Sequence, residues 1–382
     1  MKKLFLLPLL IVLVVGLVLG GCTQPTPAPS PSPAPARAPA PAQGPQTITA
    51  QTQAPAPSPA KAPAPAKVWE LKYADWGPAQ IELGKRAQQW KEVIEQRTGG
   101  RVKITLYFGE ALLKAADHRR GVQAGIADAA LYVIGSNEQA NRIMEQPFLF
   151  SPTTDMSERT KIFNQLRADF PQLDKEFGDA MPLYWRSIVP EHVNTVKKPV
   201  LVPQDLAGMK LSASTWWEDP FKTVNAALIF LRAPDWYMGL DRGLITGQII
   251  HWNAIYAFRT LELFKFHTTF GPGGIDTPFI GEIFNRDVWN SFPADIQKIF
   301  TDTAKEQEQW GLEDDLVKQA EAIAFARKIG NLIHEATPQE YQQWYEFTQV
   351  VRDKWIKDTA AAGFPAQQIF DEAKRLDAQY RN

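Results

Sequence analysis

Between residues 68 and 134 the hydrophobic period changes from two to about 3.6 and back, twice over, and this restricts the fold more than any other feature of the chain. Residues 68–74 (VWELKYA) set large apolar against polar side chains and read as a strand. Leu83, Ala87, Trp90 and Ile94 then share one face of a helix over about 79–97. Thr98-Gly99-Gly100 ends that helix, because glycine accepts the positive φ that helix ends often need. Residues 101–108 alternate again, with Val102, Ile104, Leu106 and Phe108 on one side. A second helix over about 111–124 and a third strand over 128–134 complete the pattern. Strands separated by helices in this way pair in parallel through right-handed crossovers. Open sheets of that kind seat ligands beyond the carboxyl ends of their strands. The turn after the first strand, Ala74-Asp75-Trp76-Gly77-Pro78-Ala79, lacks the glycine-rich fingerprint of a dinucleotide site and makes Trp76 a candidate ligand contact.

Downstream the character changes. Residues 183–197 form a long extended stretch, and 199–274 hold short strands, turns and one or two helices. A long helix is predicted over 293–328, where Ile296, Ile299, Phe300, Ala304 and Gln307 begin one face, and two more helices over about 338–361 and 365–381. The expected division is a first lobe of residues 68–190 and about 275–382, with the C-terminal helices, and a second lobe of about 191–274. The fold class is α/β.

The N-terminal part cannot belong to either lobe. Met1-Lys2-Lys3 is basic, and residues 4–20 are almost wholly apolar but short against the roughly 20 residues that span a bilayer. Small residues follow, ending at Cys22, so residues 1–21 read as a secretory signal. Residues 22–67 then carry 14 of the chain's 30 prolines in a Pro/Ala repeat, which cannot form a core and tends to extended polyproline II. That segment reads as a disordered tether. Cys22 is the sole cysteine, which rules out an intrachain disulfide and a cysteine-based metal site.

The charge is balanced, 41 basic against 42 acidic residues, with no basic patch or arm, so nucleic acid is an unexpected partner. His118, His192, His251, His267 and His334 are scattered, with no metal spacing, and there is no P-loop or nucleophile elbow. Asp314-Asp315 falls on a helix that reads as surface. No catalytic site, metal or cofactor is expected, and the chain does not read as an enzyme.

Six segments, in order, resemble the solute-binding proteins of tripartite ATP-independent periplasmic (TRAP) transporters, of the DctP type. They are EQRTGGRVKITLYF at 95–108, VQAGIADAAL at 122–131, QPFLF at 146–150, KKPVLVPQDLAGMKLSAS at 197–214, GLDRGLITGQIIHW at 239–252 and FNRDVWNSFPADIQKIF at 284–300. The likeness covers about residues 68–345. It implies a type II-like periplasmic binding protein fold: two α/β lobes joined by hinge strands, braced by a long helix, that close on one solute. It also implies delivery to membrane permease subunits. The four residues ending in Cys22 resemble a lipobox, which implies cleavage before Cys22, a lipid on its sulfur and a periplasmic, membrane-anchored location.

The departures from that family bear on the solute. The position of the usual carboxylate-pairing arginine is Ser212, that of a second common arginine is Glu191, and the aspartate before Gly247 is Thr246. A serine cannot make the paired, charge-assisted bonds of a guanidinium. Arg186 and Arg232 are the candidates to compensate. Family habit is an organic acid; with these arginines replaced, a polyol, an amine or an aromatic compound stays open. Trp185, Trp216, Trp217, Trp236 and Trp252 cluster where the family places its binding segments, and a cleft walled by indoles suits a planar ligand or a cation. The candidate ligand contacts are therefore Trp76, Arg186, Glu191, His192, Ser212, Trp216, Trp217, Gln248, His251, Trp252 and Asn253. A buried Glu191 needs a partner, supplied by a ligand amine, hydroxyl groups, a metal ion or Arg186. The rival readings are a lipoprotein sensor or scaffold on the same fold, and a secreted hydrolase.

Overall fold

The computed structural model describes residues 67–134 and 155–380. The expected signal segment, Cys22, the tether up to residue 66 and the 146–150 motif lie outside the described residues. Among the described residues, eleven strands form two sheets. They are β1 (Trp69–Ala74), β2 (Val102–Tyr107), β3 (Ala129–Val133), β4 (Ala180–Ser187), β5 (Glu191–Thr195), β6 (Lys210–Ser212), β7 (Ala227–Leu228), β8 (Gly247–His251), β9 (Phe266–Thr269), β10 (Phe279–Asn285) and β11 (Leu332–Glu335).

The first sheet has the order β2-β1-β3-β10-β4. β1 runs parallel to β2 and β3, in the register Trp69 opposite Val102, as the alternating periods predict. β10 enters antiparallel between β3 and β4. The helix Glu82–Arg97 buries Ala87, Trp90 and Ile94 against one face of this sheet. The other face packs on Phe163, Phe177 and Trp185. The expected second helix begins later, as a 3-10 turn Ala115–Asp117 followed by His118–Gln123.

The second sheet has the order β11-β9-β5-β8-β6-β7. Val193, Leu211, Trp217 and Ile249 belong to one of its cores, and Ile250, Trp252, Ile255 and Phe264 to another. The C-terminal stretch is shared rather than held wholly by the first lobe. β11 extends the second sheet beside β9, and Trp344 and Val351 join its core. Trp355, Ile369 and Leu376 then return to the first sheet's core. The break falls at Thr348, which splits the predicted 338–361 helix into Pro338–Phe347 and Gln349–Ala361.

The chain leaves the first sheet after β4 and re-enters it before β10. These two crossovers are hydrogen-bonded to each other. Ile188 N–H donates to Pro278 O at 3.1 Å, Glu191 N–H to Asp276 O at 2.8 Å, and Ile275 N–H to Glu191 O at 3.1 Å. Gly274, at φ 63°, is required there, since a Cβ would come 2.6 Å from Glu191 O. The long helix Ala294–Lys328 spans both halves: Ile296 and Phe300 lie in a core of the first sheet, Ala322 and Ala326 in one of the second. No described helix is long and apolar enough to cross a membrane.

Candidate functional site: the cleft between the sheets

A cleft of about 570 Å³ lies between the two sheets, within the range usual for small-molecule sites. Part of its lining comes from carboxyl ends of strands. Trp76 follows β1, Ile134 follows β3, Arg186 and Ile188 end β4, Ser212 ends β6 and His251 ends β8. That is where the parallel pairing of β1 and β3 predicts a ligand.

The most connected group behind the lining is Asp315, in the middle of the long helix. Its carboxylate accepts from Arg186 Nη1 at 2.5 Å and Arg86 Nη2 at 2.7 Å. Asn253 Nδ2 donates to its backbone oxygen at 3.0 Å. Burial alone would raise the Asp315 carboxyl, but Arg186 and Arg86 outweigh it and hold the group below its ordinary range. The sequence reading of Asp314-Asp315 as surface is therefore wrong for Asp315, which is 6% exposed. The signal was Gly311, one turn earlier: a Cβ there would lie 2.2 Å from Arg186 Nε, so the helix gives up a better helix former to let the guanidinium cross it. Deeper in the first sheet, burial pushes Asp75 up to about 7 and Glu282 to about 8. Asp315 is thus the ionised counter-charge for both guanidiniums at neutral pH.

Glu191 opens β5 at the second-sheet wall and is 6% exposed. The alternative that Arg186 serves as its partner fails, since Arg186 pairs with Asp315. Its Oε2 has no hydrogen-bond partner. Burial, then the neighbouring Asp276 carboxylate, raise its carboxyl well above the ordinary range. Asp276 is itself raised to about 7 by burial, while accepting from Thr277 N–H at 2.7 Å and Trp216 Nε1 at 3.1 Å. Opposite Glu191 in the β5–β8 register stands His251. Its Nδ1 accepts from Ala254 N–H at 3.2 Å and caps the helix Trp252–Ala257. Burial lowers its imidazole to about 4, so it is neutral.

At the mouth, Trp76 from the first-sheet side stacks on Phe258 from the second, with ring centroids 6.4 Å apart and 12° between planes. Trp236 meets Phe258 edge-on at 5.1 Å. Arg232 Nη1 reaches Glu110 Oε2 at 2.8 Å, joining the segment before Trp236 to the turn after β2 across the cleft. Arg232 is thus paired with Glu110 at the rim.

The structure brings together Trp76, Arg186, Glu191, Ser212, Gln248, His251 and Asn253 along the cleft. Four expected contacts lie elsewhere. Trp217 and Trp252 are core residues, Trp217 stacked on Trp216 at 4.2 Å and Trp252 packed on His267 at 4.5 Å. Trp216 acts one step back, by donating to Asp276. His192 does not line the cleft; burial, then His267 and His251, lower it to about 3. Arg86, Phe230, Tyr256 and Phe258 line the cleft and were not singled out from the sequence, since each sits in a helix or turn with no distinctive spacing. No group of three or more His, Cys, Asp and Glu among the described residues is placed to hold a metal.

Comparison with known proteins adds a family and a set of related folds. A model of the family described as bacterial extracellular solute-binding protein, family 7, matches residues 74–358. The 2,3-diketo-L-gulonate-binding periplasmic protein YiaO of Escherichia coli is 23% identical over 233 residues, 58% of this chain and 67% of that protein. The Sinorhizobium fredii protein y4mM is 23% identical over 280 residues, 72% of this chain, which spans only 48% of y4mM. Among solved structures, a TRAP periplasmic solute-binding protein of Desulfovibrio salexigens has a TM-score of 0.69 at 23% identity, covering 82% of this chain and 96% of its own. One from Rhodoferax ferrireducens, solved with copurified benzoate, has a TM-score of 0.73 at 20% identity over 81% and 98%. One from Bordetella bronchiseptica, with bound mandelate, has 0.72 at 19% identity over 81% and 99%.

Proposed function

The chain belongs to the bacterial extracellular solute-binding proteins of family 7, and from that premise we propose that it captures one small organic solute between its sheets and delivers it to the membrane subunits of a TRAP transporter. The observation that carries this reading is the cleft itself: about 570 Å³, walled from both sheets and bordered by two crossovers and a long helix. A solute touching both walls binds the closed arrangement better than the open one and shifts the population toward it. The closed form is what the permease recognises. Isothermal titration with a panel of acids, polyols and amines, paired with X-ray scattering, tests this. A binding solute is expected to reduce the radius of gyration; a bound solute with no compaction would refute closure.

The protein acts in the periplasm, held to the membrane by a lipid on Cys22 and reaching outward on its Pro/Ala tether. Acyl chains supply the anchoring energy, about 0.8 kcal/mol for each buried methylene. Cells fed labelled palmitate are expected to label the wild-type protein and not Cys22→Ser, and label retained in that variant would refute the anchor.

A further inference from the structure

We propose that the solute of this cleft carries an ammonium group, bound by Glu191, on an apolar or aromatic body. The inference deepens the solute-capture reading and depends on it.

Three buried oxygens on the second-sheet side of the cleft are hydrogen-bond acceptors without a donor: Glu191 Oε2, Gln248 Oε1 and Asn253 Oδ1. The amide of Asn253 is oriented by its Nδ2, which donates to Asp315, so its oxygen is the free end. A ligand that satisfies this wall brings N–H or O–H groups. A carboxylate brought there meets the acceptor oxygens of Gln248 and Asn253, and meets a like charge wherever Glu191 is ionised. The charges of Arg186 and Arg86 are met by Asp315 and that of Arg232 by Glu110; Arg86 keeps Nε and Nη1 without a hydrogen-bond partner, and the acid arm of the test reads any carboxylate they hold. Lys114, at the rim, is exposed. An unpaired carboxylate buried this deeply is costly, and a cation delivered by the ligand removes that cost. The remaining lining suits the body of such a ligand, with Trp76 and Ile188 from the first-sheet side and Ile249, Tyr256 and Phe258 from the second.

Ammonium binding at this carboxyl displaces a proton. Burial and Asp276 hold Glu191 protonated well above the ordinary carboxylate range. The groups packed around it are Asp276, held by Trp216 and Thr277 with the Arg159 guanidinium acting on it, and the neutral His251. The seated cation favours the ionised carboxylate, and the proton leaves to solvent.

The test is titration of the purified protein with 2-phenylethylamine and tyramine, against phenylacetate, 4-hydroxyphenylacetate and 2-phenylethanol, in two buffers of different ionisation enthalpy. Each amine is expected to bind about tenfold or more tighter than its acid counterpart, consistent with a bond to a charged group. The measured enthalpy is expected to depend on the buffer, reporting proton release. Glu191→Gln is expected to lose about tenfold or more in amine affinity and the buffer dependence with it. Native mass spectrometry of the wild-type protein reads the copurified solute independently of how that variant folds, and a basic mass is the supporting result. No amine binding, acids or the alcohol binding more tightly than amines, or an amine affinity unchanged in Glu191→Gln overturns the inference. An acid that binds and compacts the protein would do so while leaving solute capture intact.

Discussion

Asp315→Ala leaves the Arg86 and Arg186 guanidiniums in the protein interior without their shared carboxylate. The side chains involved are 12%, 3% and 8% exposed for Arg86, Arg186 and Asp315. That places the interaction among buried pairs, where removal of one partner costs about 3–5 kcal/mol, and not among surface pairs worth about 0–1. Arg86 retains Asp314 at 2.9 Å, on a partly exposed carboxylate, which puts the expected loss at the lower end, about 3 kcal/mol. In a chain of this size, at about 2 °C for each kcal/mol, the melting temperature falls by roughly 6 °C. The dependence on pH follows from the depressed Asp315 carboxyl. Its contribution is fully present above the unfolded value, near 3.8, and is lost as pH falls through the lower folded value. Thermal melts of wild type and variant by circular dichroism are therefore expected to differ at pH 7 and to begin converging only as pH falls below 3.8. A loss under about 1 kcal/mol at pH 7, or a gap that persists unchanged into acid, would refute the assignment of Asp315 as the buried counter-charge.

Two further outcomes follow from the same geometry. Arg232→Ala removes the cross-cleft pair with Glu110; because Arg232 is exposed, the cost is about 0.2–1 kcal/mol and screened by salt. Solute-free scattering is expected to show a larger radius of gyration than wild type at low salt and a smaller difference at high salt. Trp216→Phe deletes the Nε1 bond to Asp276, at about 1.5–3 kcal/mol if that carboxylate is charged. Urea unfolding is expected to show a larger penalty at pH 8 than at pH 6, because Asp276 titrates near 7.

The first sheet was legible because its strands and helix carry their period in a short stretch of chain: Val102, Ile104 and Leu106 alternate within β2, and Trp90 and Ile94 lie one turn apart. The second sheet was legible only as a region. Its strands are as short as two residues in β7, too few for any period to declare itself. β11 went unseen because Leu332–Glu335 gains its partner from β9, some sixty residues earlier. Of the residues singled out from the sequence, Glu191, Gln248, His251 and Asn253 line the cleft; Gln248 and His251 lie in a segment that resembles the family's, and Asn253 directly follows it. The tryptophans misled, since an indole is equally suited to a cleft wall and a core, and only tertiary packing separates Trp76 from Trp217. Asp315 was missed for the complementary reason. A charged residue on a long polar helix reads as solvated unless the arginines that reach it, from far off in sequence, are known.

The paired crossovers constrain more than connectivity. Two independent threads between the halves would let them twist, slide or tilt with equal ease. Stitched edge to edge by backbone bonds from Ile188 to Pro278 and from Glu191 to Asp276, they form a ribbon that is stiff in its own plane and compliant only across it. Relative motion of the two sheets would then be easiest across the plane of that ribbon, at whose edge Glu191 sits.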